Sequence, residues 1–308
     1  MSLRNILLLA LAATALASPA SKSGSPKGSK KAKHTASKTA PHVPISTGHS
    51  GTGSGSGAAN NGTTSGGGGL KTTFPTPKGS QNIAAVKTIA AGQSFDGGMQ
   101  LWDRSPSTCK GQTEGGNKDA VFILEEGATI SNVVIGPNNG EGIHCLGSCT
   151  INNPGLQYVP KLTPTSWFQD VCEDAITFKQ TSGTSFVNGG GAQNAEDKVL
   201  QHNGGGTVAV KDFYCKGCSK MYRSCGNCKS QTARHATFEN VRLDGGKVLA
   251  AVNGNLGDGV DIKNSCVLGG AEVCEMFEGN SSGAEPKLTG KGPDGKVCVA
   301  EGVKTSGC

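Results

Sequence analysis

Aromatic side chains are scarce in this chain, at 5% of 308 residues, and charged ones reach only 17%. A helical bundle or coiled coil draws about half its residues from Ala, Glu, Lys, Leu and Arg and tolerates few glycines inside its helices. With 48 glycines, this chain is neither. No internal apolar run approaches the roughly 20 residues needed to span a bilayer, so no membrane segment is expected. There is no Gly-x-Ser-x-Gly elbow to present a nucleophilic serine, and nothing that would cradle a nucleotide. What remains is a loop-rich, all-β protein with an ordered and a disordered part.

The first 17 residues read as a secretory signal. Arg4 supplies the positive start, residues 6–17 are apolar apart from Thr14, and Ala15-Leu-Ala17 fits the small-x-small cleavage pattern. Export to the extracellular space is therefore expected. Residues 18–73 are Ser, Gly, Thr, Lys and Pro, which bury too little apolar surface to offset their ordering entropy; this segment is expected to be a disordered tail. Residues 1–73 hold eight of the 29 basic groups and none of the 23 acidic ones, leaving the rest with 21 basic against 23 acidic. The excess positive charge thus belongs to the tail, where Lys22, Lys27, Lys30, Lys31, Lys33 and Lys38 could hold a polyanion or serve solubility alone. Nucleic acid is not an expected partner, since the tail interleaves no aromatics with its lysines. Asn61-Gly-Thr63 and Asn280-Ser-Ser282 are candidate N-glycosylation sites.

Export also decides the cysteines. Their number is even, at 12, and all lie beyond residue 108, which suits disulfides on an oxidising route. Cys215-x-x-Cys218 and Cys225-x-x-Cys228 imitate a zinc ribbon, but the two pairs stand much closer than the usual spacing of about 15–20 residues.

From Phe74 onward, short β-rich runs alternate with Gly, Asn and Asp. Six runs share one form, a strand ending in Asn or Asp: at Asn132, Asn153, Asn188, Asp212, Asn240 and Asn264. Their recurrence every 20–30 residues, with no helical spacing between them, predicts a parallel β-helix in which Asn and Asp take the left-handed corner. A β-sandwich is the alternative, though its turns recur every 8–12 residues or so. One interval is too long, and its excess falls at residues 154–165, which hold three prolines. A loop on one flank and a translated intron both remain open for that stretch.

Two groups on these strands could carry chemistry. Glu141 and the adjacent Glu173 and Asp174 stand about one turn apart once the excess is set aside, so a solenoid brings them together. Three convergent carboxylates make a site for a hard cation, Ca²⁺ before others. Lys198 and Lys220 stand 22 residues apart, again one turn, with Arg223 close by. A lysine near a bound cation and an arginine loses its proton more easily, which a general base requires. Lys198 is the preferred base, because arginine stays protonated. His144 and His202 are expected to be structural.

Gly142-Ile-His-Cys145, Cys172-Glu-Asp-Ala-Ile-Thr-Phe-Lys179, Asp197-Lys-Val-Leu-Gln201 and Ser219-Lys-Met-Tyr-Arg223 resemble the extracellular pectate lyases of polysaccharide lyase family three, the fungal members above all. The resemblance runs over residues 74–308, taken as one domain. It implies a right-handed parallel β-helix and calcium-dependent cleavage of polygalacturonate by β-elimination. It further implies that Glu141, Glu173 and Asp174 bind calcium, and that Lys198, Lys220 and Arg223 share the base and substrate-carboxylate roles. Glu114 matches a substrate-binding acid of the family less closely. A departure is Glu141, where bacterial relatives often carry Asp. The rival functions are a β-helical pectin hydrolase, which needs two carboxyls flanking the bond, and a non-catalytic module that binds wall polysaccharide. The protein is expected to act as a monomer.

Overall fold

The computed structural model describes residues 70–152, 155–156 and 172–308. The leader, the tail up to residue 69, Asn61, Asn153 and residues 157–171 lie outside the described residues. The described chain is a parallel β-solenoid of about seven turns with two short 3₁₀ segments, Asn117–Asp119 and Gly254–Leu256. Each turn contributes to three stacked sheets.

The first sheet runs from the start of Ser94–Arg104 through Thr129–Ile135, Thr150–Asn152, Thr184–Asn188, Gly206–Lys211, Arg234–Glu239 and Gly259–Lys263 to Cys298–Glu301. It contains the repeat seen in the sequence. Its register stacks Ile130, Ile151, Val187, Val210, Phe238 and Ile262 in one inward column, all buried. Alternation along each strand sends every second side chain to the core, so one residue type recurs at one level of each turn.

The corner after this sheet needs a left-handed residue. Asn132, Asp212, Asn240 and Asn264 take it, with φ of 55°, 56°, 53° and 48°. Asn and Asp tolerate this region because their short polar side chains bond locally. Here they bond along the stack: Asn132 Nδ2 donates to Asp96, and Asn240 Nδ2 to Asp212. Asn188 departs from the expectation. It ends its strand level with Lys211, and Gly189, at φ 75°, takes the corner instead.

The third sheet carries the site. Its strands are β1 (Lys87–Ile89), β2 (Ala120–Leu124), β3 (Glu141–Cys145), β4 (Asp174–Phe178) and β5 (Lys198–His202). Then come the second halves of β6 (Tyr214–Ser224) and β7 (Arg242–Val252), and β8 (Glu272–Glu278). An antiparallel strand, β9 (Lys287–Lys291), closes the C-terminal end on β8. The first halves of β6 and β7 belong to the second sheet, so these two strands turn a corner without a break. Inside the third sheet, Phe122, Ile143, Ile176, Leu200 and Tyr222 stack level with one another.

Gly155–Leu156 form a short strand paired with Val134–Ile135 and Gly191. The long interval therefore contains a regular piece of the second sheet at Gly155–Leu156. All twelve cysteines are in disulfides: 109–172, 145–149, 215–218, 225–228, 266–308 and 274–298. Each Cys-x-x-Cys closes on itself, which removes the zinc-ribbon alternative.

Candidate active site

The polar residues of the site sit on one rim of the third sheet, where each strand begins. Glu141 pairs with Asp174 across β3 and β4, and Lys198 with Lys220 across β5 and β6. Because Leu200 is level with Ile176, Lys198 also stands level with Asp174. Two acids followed by two lysines thus occupy one position of four successive turns. A second row, three residues further along the strands, is His144, Thr177, Gln201 and Arg223.

Glu173, Asp174 and Glu114 bring carboxylate oxygens within 4.8 Å of one another. Glu173 and Asp174 side chains are only 2% exposed, whereas Glu114 is 75% exposed and comes in from a loop. That loop is fastened to the start of β4 twice, by the Cys109–Cys172 disulfide and by a 2.7 Å hydrogen bond from Gln112 Nε2 to the Cys172 carbonyl. Glu141 stands beside this trio, level with Asp174, and its charge acts on Asp174 and Glu173. Its carboxylate accepts from Gly115 N–H at 3.1 Å and lies 3.0 Å from His144 Nε2. The sequence reading placed Glu141 with Glu173 and Asp174 and left Glu114 to the substrate. The structure also brings Glu114 to Glu173 and Asp174, and keeps Glu141 level with Asp174 while it contacts His144.

Lys198 lies among these acids. Its Nζ is 2.8 Å from Glu173, 2.9 Å from Asp197 and 3.4 Å from both Asp174 and Glu114. Burial works to lower its pKa, but Asp174, Glu173 and Asp197 outweigh burial and raise it. The expected depression by Arg223 is absent, because Lys198 faces carboxylates rather than the guanidinium. Lys220 pairs with the same Asp197, so one carboxylate bridges both lysines. Burial alone would raise Asp197, yet the bonds from Lys220 and Lys198 hold it below its usual value. Burial pushes the carboxyl of Asp174 well up and that of Glu173 up, despite Lys198.

Two further residues join the site. Lys179 follows β4 and places Nζ 2.9 Å from Asn117 Oδ1 and 3.1 Å from His144 Nδ1; burial lowers its pKa. Asp197 occupies the level of Glu173 one turn on. Both lie inside the motifs quoted above, but only the stacking of turns shows what they touch.

The pectate lyase family model matches residues 71–283. This chain belongs to the pectate lyase family. It is 44% identical over 223 residues to probable pectate lyase D of Neosartorya fischeri, covering 71% of this chain and 87% of the relative. To pectate lyase E of Emericella nidulans it is 45% identical over 227 residues, covering 72% and 83%. Among solved structures it is similar to pectate lyase PelI of Erwinia chrysanthemi in complex with tetragalacturonic acid, with TM-score 0.54, 28% identity, and coverage of 75% and 71%. The catalytic domain of PelI gives TM-score 0.53 at 27% identity, covering 73% of this chain and 98% of that one.

For a pectate lyase the acidic trio is suited to a hard divalent cation. Every donor is oxygen; Glu173 Oε2 is buried with no hydrogen-bond partner, and Asp174 Oδ1, equally buried, has no hydrogen bond and only an ion-pair contact with Lys198 at 3.4 Å. Buried carboxylate oxygens without a partner are costly, and a calcium ion takes six to eight such donors. Gln201 Oε1 and a nitrogen of Arg223 are likewise buried and unpartnered beside them on the sheet.

Proposed function

We propose that this protein cleaves polygalacturonate by calcium-dependent β-elimination outside the cell, leaving an unsaturated sugar at the new chain end. The observation carrying this reading is the rim of the third sheet: unpartnered buried carboxylate oxygens, two lysines in register and an arginine on the neighbouring row. Calcium bound by Glu173, Asp174 and Glu114 would draw their charge away from Lys198 and polarise the uronate carboxylate.

Lys198, released from its acids as a neutral amine, takes the proton from C5 of the uronate. Negative charge then grows toward that sugar's carboxylate. Arg223 and Lys220 face it as cations, Arg223 with its donors in a fixed fork and Lys220 as a point charge. The bond between C4 and the glycosidic oxygen breaks with its electron pair going to oxygen, and the C4–C5 double bond forms. The departing oxygen takes up one proton in place of the one lost from C5, and no water is consumed. Asp197 holds the two lysines apart and oriented. The disulfide set and the leader-like first 17 residues support export.

Incubation with polygalacturonate, with and without calcium, tests the reading by ultraviolet absorbance. Unsaturated product should form only with calcium; reducing ends without absorbance would mean hydrolysis, and binding without product a non-catalytic module. Asp174→Ala should lose most of the calcium affinity measured by calorimetry, and unchanged affinity would place the ion elsewhere.

A further inference from the structure

The buried arginine of the site has an unusual seat. Arg223 is 8% exposed, forms no ion pair among the described residues, and has a buried nitrogen with no hydrogen-bond partner. Glu285, Asp258 and Glu275 act on it only at longer range, and burial disfavours its charge. What lies against it is the ring of Phe277, whose centroid is 4.2 Å from the guanidinium carbon. Phe277 belongs to β8 and faces Leu288 of β9, so it is supplied by the antiparallel hairpin that closes the solenoid. Gly226 packs closely on the guanidinium as well: a methyl group there would come within 2.7 Å of an Arg223 nitrogen and 2.4 Å of Pro286.

We propose that Phe277 is a positioning residue for Arg223, holding the guanidinium by its flat face so that its N–H donors stay free for the substrate. A ring acts on a guanidinium differently from a carboxylate. The negative face of the ring attracts the cation without accepting from its in-plane donors. A carboxylate in the same place would satisfy the fork bidentately and compete with the uronate. The last strand of the third sheet thereby becomes part of the reaction site, since it carries Phe277 just past its parallel pairing with β7, where β9 joins it. The inference rests on Arg223 meeting the uronate carboxylate, as above.

Three variants test it. Phe277→Leu keeps much of the volume and removes the ring, Phe277→Ala removes both, and Phe277→Tyr keeps the ring. In ¹⁵N-arginine spectra the side-chain N–H of Arg223 should carry a ring-current shift that Phe277→Leu abolishes and Phe277→Tyr retains. On polygalacturonate, Phe277→Leu and Phe277→Ala should lower kcat about tenfold, as expected for a desolvated cation–ring contact. Their KM should change less than kcat, because charge on the carboxylate grows only as the C5 proton leaves. Phe277→Tyr should restore kcat, and calcium affinity should be the same in all three. Wild-type kcat in Phe277→Leu, or an Arg223 resonance indifferent to the ring, overturns the proposal. Absence of unsaturated product from the wild type would instead sink the lyase reading, and the resonance would still decide whether the ring holds the guanidinium.

Discussion

The first and third sheets are cut from the same turns of chain, yet they use their stacked positions in opposite ways. The first places like beside like: Ile130, Ile151, Val187, Val210, Phe238 and Ile262 inward, and Asn or Asp at four of its corners. The third places unlike groups in one row, with Glu141, Asp174, Lys198 and Lys220 level across four turns. Repetition of a residue at a fixed level adds stability turn by turn, because each side chain meets only its neighbours above and below. Variation at a fixed level spaces different charges by one strand separation, about 4.8 Å. That is the distance scale on which an ion, a base and a carboxylate receptor have to be arranged.

The comparison can be broken from either side. Lys198→Ala should reduce elimination by about 10²–10⁴-fold, the range for a lost general base, with circular dichroism and Tm near wild type. Lys198→Arg keeps the charge and should stay nearly inactive; substantial turnover by either variant at alkaline pH would move the base elsewhere. Ile262→Ala in the first sheet should do the reverse, costing about 2–5 kcal/mol as a fall in Tm while kcat at 25 °C is unchanged.

His202 sharpens the contrast between charge at the rim and neutrality in the core. It is fully buried in the third sheet, with Nδ1 2.9 Å from the Tyr222 hydroxyl and Nε2 3.1 Å from the Gly205 carbonyl. Burial lowers its pKa from 6.5 to about 4. The unfolded chain therefore binds a proton that the folded one refuses, between those two values. Stability from this residue is complete above pH 6.5 and is lost as pH falls toward 4, by roughly 3 kcal/mol in all. Thermal melts of His202→Gln should show a flatter fall across that window than the wild type, and an identical slope would assign the pH dependence elsewhere. The smallest effect is expected at a corner. Asn240→Ala, at φ 53°, should cost about 1–2 kcal/mol, and Asn240→Gly less, since glycine enters that region freely.

The first sheet was readable because its two requirements, an apolar residue inside and a left-handed residue at the corner, select few amino acids and recur. Even so, the corner at Asn188 lies one residue later, at Gly189, because glycine meets the same requirement without announcing it in a pattern of Asn and Asp. The charged rim was legible in part: spacing put Glu141 one turn from Glu173 and Asp174, and Lys198 one turn from Lys220 with Arg223 close by, and the family resemblance then implied their roles. Glu114 entered the trio through a disulfide spanning 63 positions, a contact no local pattern encodes. Phe277 was invisible for a related reason. Its partner Arg223 lies on another strand, and the antiparallel hairpin that brings the two together breaks the repeat on which the reading relied. Spacing alone did not show that Lys198 faces Glu173, Asp174 and Asp197, which raise its pKa against burial, since what a side chain meets depends on its direction.

The antiparallel strand at the C-terminal end has a consequence beyond the site. A solenoid of parallel turns ends in a row of open backbone donors and acceptors, and any chain with a matching edge could continue it. Lys287–Lys291 reverses direction over the last part of that row, where Lys291 pairs with Glu272 and Glu275. A second molecule arriving end-on at the third sheet meets a strand of opposite sense bearing charge, which blunts that edge against continuation.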